Sequence, residues 1–285
     1  MPVETISTAQ GAVDRVVLMH PSGTRCEVRT LGATVTSWVL GGKERLFVSD
    51  KAITDGSRPI RGGIPLVFPQ FGTGPLMPGQ HGFARKLRWE YTGIKKDDES
   101  EIMVGFDLRD SDATRASGWS YSFRLSYLVT LTTNSLGTHL AVTNTDKVAF
   151  PFTALLHTYF ATADIGHVAI DNLTGLNYTD KLLKNHVFYE DRPQVSFDQE
   201  VDRIYHGTPE TLILHVNPDE TMQLKSFGFE DTVVWNPWTD KAKDMVDFGD
   251  SEYKSMFCVE SGSVHEAVKL PPSQTWEAGQ LLELV

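Results

Sequence analysis

"YSFRLSYLVTL", residues 121–131, alternates from end to end: Tyr121, Phe123, Leu125, Tyr127, Val129 and Leu131 share one face, and the positions between them are mostly polar. A period of two is the spacing at which side chains alternate across a pleated strand. The stretch therefore predicts a β-strand with one buried face. "EIMVGFDL" (101–108) repeats the pattern with Ile102, Val104, Phe106 and Leu108. Shorter versions occur in "RCEVRT" (25–30), "HVAIDNL" (167–173), "TLILHV" (211–216) and "TMQLKSF" (221–227). Polar, glycine-bearing or acidic breaks separate the strands: "HPSGTR" (20–25), "LGGKE" (40–44), "KKDDES" (95–100), "TTNSLGT" (132–138) and "VNPDE" (216–220). Helical periodicity is scarce, and "DKAKDMVDF" (240–248) is its best instance. The expectation is an all-β fold, a large antiparallel sandwich or barrel with few short helices. No Pro/Ser-rich linker, composition shift or repeat divides the chain, so residues 1–285 are expected to form one domain.

Composition narrows the function classes. Of 285 residues, 40% are hydrophobic and 22% charged, the usage of a chain that folds. The 37 acidic residues outnumber 26 Lys and Arg, giving a net charge of −11. Nucleic acid and anionic membrane surfaces would be repelled, so neither is expected as a partner. A small anionic substrate responds to the local field and stays open. Cys26 and Cys258 are too few for a disulfide framework, and a cytoplasmic location is expected. "MPVETISTAQGAVDR" (1–15) lacks a basic-then-apolar leader, and no apolar run approaches the roughly 18 residues of a membrane helix. The glycosylation patterns at Asn172 and Asn177 are expected to go unused. We expect a monomer.

Several chemistries lack their signature. HExxH, CxxC and HxH are absent, so no dedicated metal site is expected, although scattered side chains can converge in a fold. GxxxxGK[ST], strand–GxGxxG–helix and GxSxG are absent as well. Gly72 and Gly74 form a "GTG", but Pro75 and Pro78 follow and forbid a regular phosphate-binding helix there.

What remains is concentrated. "RGGIPLVFPQFGTGPLMPGQHGFAR" (61–85) holds ten Gly or Pro in 25 residues, and its only ionisable groups are Arg61, His81 and Arg85. Prolines stiffen the path, and a stiff loop holds side chains at fixed distances. Arg61 and Arg85 are candidate anion clamps, because a guanidinium offers a planar fork to phosphate or carboxylate. Gln80 and His81 are candidates for hydrogen bonds to sugar oxygens. A plainer reading competes: a packed Pro/Gly loop whose arginines pair with acids elsewhere. His157 sits in "FPFTALLHTYFAT" (150–162), an apolar stretch where a histidine is either core or catalyst. Glu260 ends the hydrophobic "MFCVE" (256–260); it either caps or pairs, or is a carboxylate whose pKa burial raises, which suits a general base. Asp202 and Arg203 lie in a polar-to-apolar transition. Trp235 and Trp238 are sugar platforms or core.

Six strings, "PIRGGIPLVFPQFG" (59–72), "QHGFAR" (80–85), "LLHTYF" (155–160), "VDRIY" (201–205), "VVWNPW" (233–238) and "FCVESG" (257–262), resemble in order those of the aldose 1-epimerase (mutarotase) superfamily. They resemble most its hexose-6-phosphate mutarotase branch, the glucose-6-phosphate 1-epimerases. The resemblance implies a galactose-mutarotase-like supersandwich and cofactor-free interconversion of the α and β anomers of a hexose 6-phosphate. It implies His157 as the acid that protonates the ring oxygen and Glu260 as the base that takes the anomeric hydroxyl proton. Arg61, Gln80, Arg85 and Asp202 match substrate-binding positions, with His81 near the ring oxygen and Trp235 a sugar contact. Two alternatives stay open: an epimerase for neutral aldoses, and a non-catalytic sugar-binding protein on the same fold.

Overall fold

The computed structural model describes residues 2–285. Phe123–Thr132 is a strand whose odd positions from Phe123 to Leu131 are all buried, as the alternation requires. Tyr121 lies just before it, half-buried against the same core. Glu101–Arg109 pairs with it antiparallel over nine residues and buries Ile102, Val104, Phe106 and Leu108.

Three sheets follow from such pairings. Val3–Ser7, Val13–Met19, Arg25–Arg29, Thr34–Leu40 and Lys43–Glu44 form a five-stranded sheet in chain order. A nine-stranded sheet runs from Val195–Ser196 at one edge to Glu90–Asp97 at the other, with Thr275–Leu284 at its centre. An eight-stranded sheet carries, side by side, Asn177–Asp180, Val201–Tyr205, Asp231–Asn236, the fifteen-residue Met256–Leu270, and Phe150–Leu156. Tyr159–Ala161 also pairs with Met256–Leu270. Every pair of these strands is antiparallel, and the fold is the large antiparallel all-β sandwich with few short helices that the alternation predicts.

The Pro/Gly segment is fastened to the core. Phe68 packs at centroid distances of 5.9, 5.9, 5.5 and 5.4 Å on Phe83, Trp119, Phe123 and Phe152. Burying such a ring contributes roughly 1.5–3 kcal/mol. At Gly63 (φ 68°) an added Cβ would lie 2.0 Å from the Val35 carbonyl oxygen; at Gly82 (φ 68°) it would lie 2.0 Å from that of Phe68. Backbone approaches backbone there, and only glycine permits it.

The helices depart from expectation. The best one runs over Trp238–Asp244 rather than 240–248. It starts early because Asn236 Oδ1 accepts from the Trp238 N–H at 2.9 Å, and it ends before the polar–apolar run does. A second, Asp112–Ala116, rests on a reciprocal cap between Ser111 and Thr114 that apolar periodicity does not reveal. Among the described residues, no helix is long and apolar enough to cross a membrane.

Candidate active site

Strand register assembles the site. Leu156 pairs with Ser261 and Tyr159 with Cys258, so ladder geometry would place His157 opposite Glu260. The chain leaves the ladder at that point. The His157 N–H donates instead to the Pro65 carbonyl at 3.0 Å, and the Thr158 N–H turns back to Leu156 O at 2.9 Å. This two-residue kink brings His157 Nδ1 to 3.3 Å from Glu260 Oε1, out of hydrogen-bond alignment. His157 Nδ1 and Glu260 Oε2 are both buried without a partner.

The same face continues across the neighbouring strands. Val233 pairs with Glu260, Trp235 with Cys258, and Asp202 with Trp235. Lys181 follows the next strand and donates from Nζ to Asp202 Oδ2 at 3.0 Å. The segment 61–85 closes the other side with Arg61, Phe71, Gln80 and His81. Together they enclose a cavity of about 280 Å³. That is just below the roughly 300 Å³ at which drug-sized pockets begin, and it suits a single sugar ring. A larger cleft of about 620 Å³ lies beside the Arg45–Glu220 ion pair, but it does not contain the His157–Glu260 couple.

Seven of the ten residues singled out in the sequence line this cavity: Arg61, Gln80, His81, His157, Asp202, Trp235 and Glu260. Arg85 does not. It is half-buried, and its Nη2 donates to the Gln80 carbonyl at 3.1 Å. Its field still reaches the site, being the foremost charge acting on both His81 and His157. Arg203, beside Asp202, points into an ion pair with Asp180, and Trp238 packs into the core.

Other groups were not legible as site residues. Asp247 holds Arg61 with contacts of 3.3 Å to Nε and 3.2 Å to Nη2. The Tyr159 hydroxyl accepts from Arg61 Nη1 at 3.3 Å, and its ring stacks on His157 at 4.6 Å. Lys181 lies 4.8 Å over the Phe71 ring. Lys241, on the Trp238–Asp244 helix, lines the cavity, is exposed and has no ion-pair partner among the described residues. Lys181 and Lys241 sit in turns and helices that only long-range pairing brings here. A lysine count along the chain carries no such signal.

The electrostatics are those of a dry, cationic pocket. Burial, then repulsion from Asp202, pushes the Glu260 carboxyl well above its ordinary range. Burial, then Arg85, Arg61 and Lys181, pushes the His157 imidazole well below its own. Both shifts disfavour charge, so the surroundings favour a neutral carboxyl beside a neutral imidazole. His81 is likewise held neutral, chiefly by burial. Its Nδ1 accepts from the Gly72 N–H at 3.2 Å, which leaves the ring proton on Nε2 as a donor. His81 also has a left-handed φ of 61°, a strained setting that fixes its direction. Burial lowers Arg85 to about 10, which leaves it charged at neutral pH. Burial also opposes the charge on Arg61, but Tyr159 and Asp247 outweigh it and raise the group.

A carboxyl and an imidazole in contact, lined by hydrogen-bond donors, can exchange protons with two oxygens of one small ligand. Comparison with known proteins agrees with that chemistry. The family profile described as aldose 1-epimerase matches residues 14–283. A Cenchrus ciliaris protein named "putative glucose-6-phosphate 1-epimerase" is 36% identical over 291 residues, covering 99% of this chain and 88% of that protein. A protein of the same name from Salmonella typhimurium is 29% identical over 255 residues, covering 87% and 83%. Among solved structures, a "putative mutarotase" from Salmonella typhimurium superposes with a TM-score of 0.87 at 24% identity, covering 99% of this chain and 97% of that one. The galactose 1-epimerase of Lactobacillus acidophilus shares the fold with a TM-score of 0.76 at 13% identity, covering 99% and 98%.

Proposed function

This chain belongs to the aldose 1-epimerase family, and from that premise we propose that it interconverts the α and β anomers of a hexose 6-phosphate in the cytoplasm, without a cofactor. The observation that carries the reading is the His157–Glu260 couple, 3.3 Å apart and bared to a cavity with Arg61, Lys181 and Lys241 on its walls.

The reaction removes a proton from the anomeric hydroxyl and delivers one to the ring oxygen. The C1–O5 bond breaks, the open aldehyde turns about C1–C2, and the ring closes on its other face with the two transfers reversed. Glu260 acts as base and His157 as acid. Burial first, and then the cations Arg85, Arg61 and Lys181, disfavours a charged imidazole at His157. A phosphate dianion beside Arg61, Lys181 and Lys241 offsets the cationic part of that effect and so favours the proton on His157, where its role as acid requires it. His81 Nε2–H and Gln80 bind ring oxygens, Asp202 binds a hydroxyl, and the Trp235 ring lies along the sugar.

A second reading has one observation in its favour. Arg61 and Lys181 are already paired with Asp247 and Asp202, which suits a neutral aldose. Exchange NMR on the α anomers of glucose 6-phosphate, glucose and galactose separates the two. The proposal expects the phosphate ester to turn over at least about tenfold faster in kcat/KM, a difference of some 1.4 kcal/mol in transition-state binding. Equal rates would overturn it.

A further inference from the structure

The mechanism leaves Cys258 unused, yet its side chain lies in the same place. Cys258 and Glu260 are two apart on one strand and share a face; His157 stands across from them. One ligating atom from each, the thiol sulfur, a carboxylate oxygen and an imidazole nitrogen, lie within 4.8 Å of one another. All three residues are buried, and two of the atoms at this point, His157 Nδ1 and Glu260 Oε2, have no partner.

We propose that His157, Cys258 and Glu260 form a binding site for Zn²⁺, and that the metal reversibly shuts off the acid–base couple. The donor set is one imidazole, one thiolate and one carboxylate, the borderline-soft mixture that zinc takes and that magnesium or calcium does not. Zinc bonds of about 2.0 Å to nitrogen and oxygen and 2.3 Å to sulfur place tetrahedral ligands roughly 3.5 Å apart. The three atoms reach that spacing by closing about 1 Å, chiefly by rotation of the Glu260 carboxylate, whose Oε2 has no partner. His157 and Glu260 also line the cavity, from which a water would complete the tetrahedron.

Charge balances as well. Binding expels the thiol proton and the carboxyl proton to solvent, so the two anionic ligands match the dication. Of the cations nearby, Arg61 and Lys181 each carry their own carboxylate, and Arg85, which has none, lies outside the cavity and opposes the metal from a distance. Because protons are released, the affinity rises with pH. A bound zinc occupies the imidazole nitrogen and the carboxylate together, which removes both proton carriers. That inhibitory consequence rests on the mutarotase reading; the binding does not.

The test uses the whole protein, stripped of metal. Titration with Co²⁺ should produce a thiolate-to-cobalt charge-transfer band in the near ultraviolet that saturates at one equivalent and is abolished by Zn²⁺. Cobalt on the stacked surface pair His206 and His265, whose ring centroids are 3.7 Å apart, has no thiolate ligand and gives no such band. Cys258→Ser, with Cys258→Ala as a second variant, should lose the band and bind Zn²⁺ at least about tenfold more weakly. Both variants should keep basal turnover and lose the chelator-reversible inhibition by one equivalent of Zn²⁺. No band in the wild type, or unchanged zinc affinity in a folded Cys258 variant, overturns the site. A band in a protein that turns over no sugar upholds the site and refutes the reaction instead.

Discussion

The proton shared by His157 and Glu260 has consequences for both activity and stability. In the proposed reaction the couple works with one proton between its two members. Activity falls at low pH when His157 takes a second, and at high pH when Glu260 loses the last. Burial drives these limits apart, so the kcat/KM profile should have its acid limb below the ordinary imidazole value and its alkaline limb above the ordinary carboxyl value. An acid limb at or above the ordinary imidazole value, or an alkaline limb at or below the ordinary carboxyl value, would contradict it. His157→Ala or Glu260→Gln should lower mutarotation by at least about 10²-fold with the fold intact, by circular dichroism. Glu260→Gln should also raise Tm. Glu260 has a folded pKa above its unfolded one, so the folded state's relative stability is greatest at low pH and declines as pH rises from the unfolded towards the folded value. An amide escapes that loss. The gain should be about 2–4 °C for each kcal/mol at pH 7 and should shrink near pH 5.

Among the structural elements, the Pro/Gly segment and the strand row depend on different kinds of information. Gly63→Ala forces a methyl group to 2.0 Å from the Val35 carbonyl and should destabilise by about 3 kcal/mol or more, measured by denaturant unfolding; a neutral result would mean the segment yields without cost. The segment's role as a rigid wall was legible from its composition, and Glu260 from the oddity of a carboxylate closing an apolar strand. Arg61 was only half legible. Its place in the cavity followed from the resemblance, but its partner Asp247 lies 186 residues away in sequence, and no local pattern announces such a pair. Lys181 and Lys241 stayed hidden for the same reason, since their positions depend on which strands become neighbours. The strands themselves were read easily because alternation is local, whereas the kink at His157–Thr158 appears only when both flanking registers are known. Lys241→Ala, which removes an exposed and unpaired cation, should raise KM for a sugar phosphate several-fold while leaving a neutral sugar unchanged. An equal change in both would place Lys241 away from the phosphate.

At the scale of the whole molecule, a protein of charge −11 lines its cavity with the cations Arg61, Lys181 and Lys241. Salt screens charges over about 8 Å at physiological strength, so distant surface acids act weakly on a ligand at the mouth while Lys241 and Lys181 act strongly. Raising ionic strength from low values to about 0.5 M should therefore lower kcat/KM for the phosphate ester and leave a neutral sugar untouched. A rise with salt would mean that the overall negative charge governs the encounter.

Asp202, Trp235 and Glu260 sit on three adjacent strands and belong to the sheet rather than to a mobile cover. Their amide hydrogens should exchange with deuterium at the slow rate set by unfolding of the whole. Heat then has no local joint to loosen first. Loss of turnover and loss of the sheet should trace a single curve.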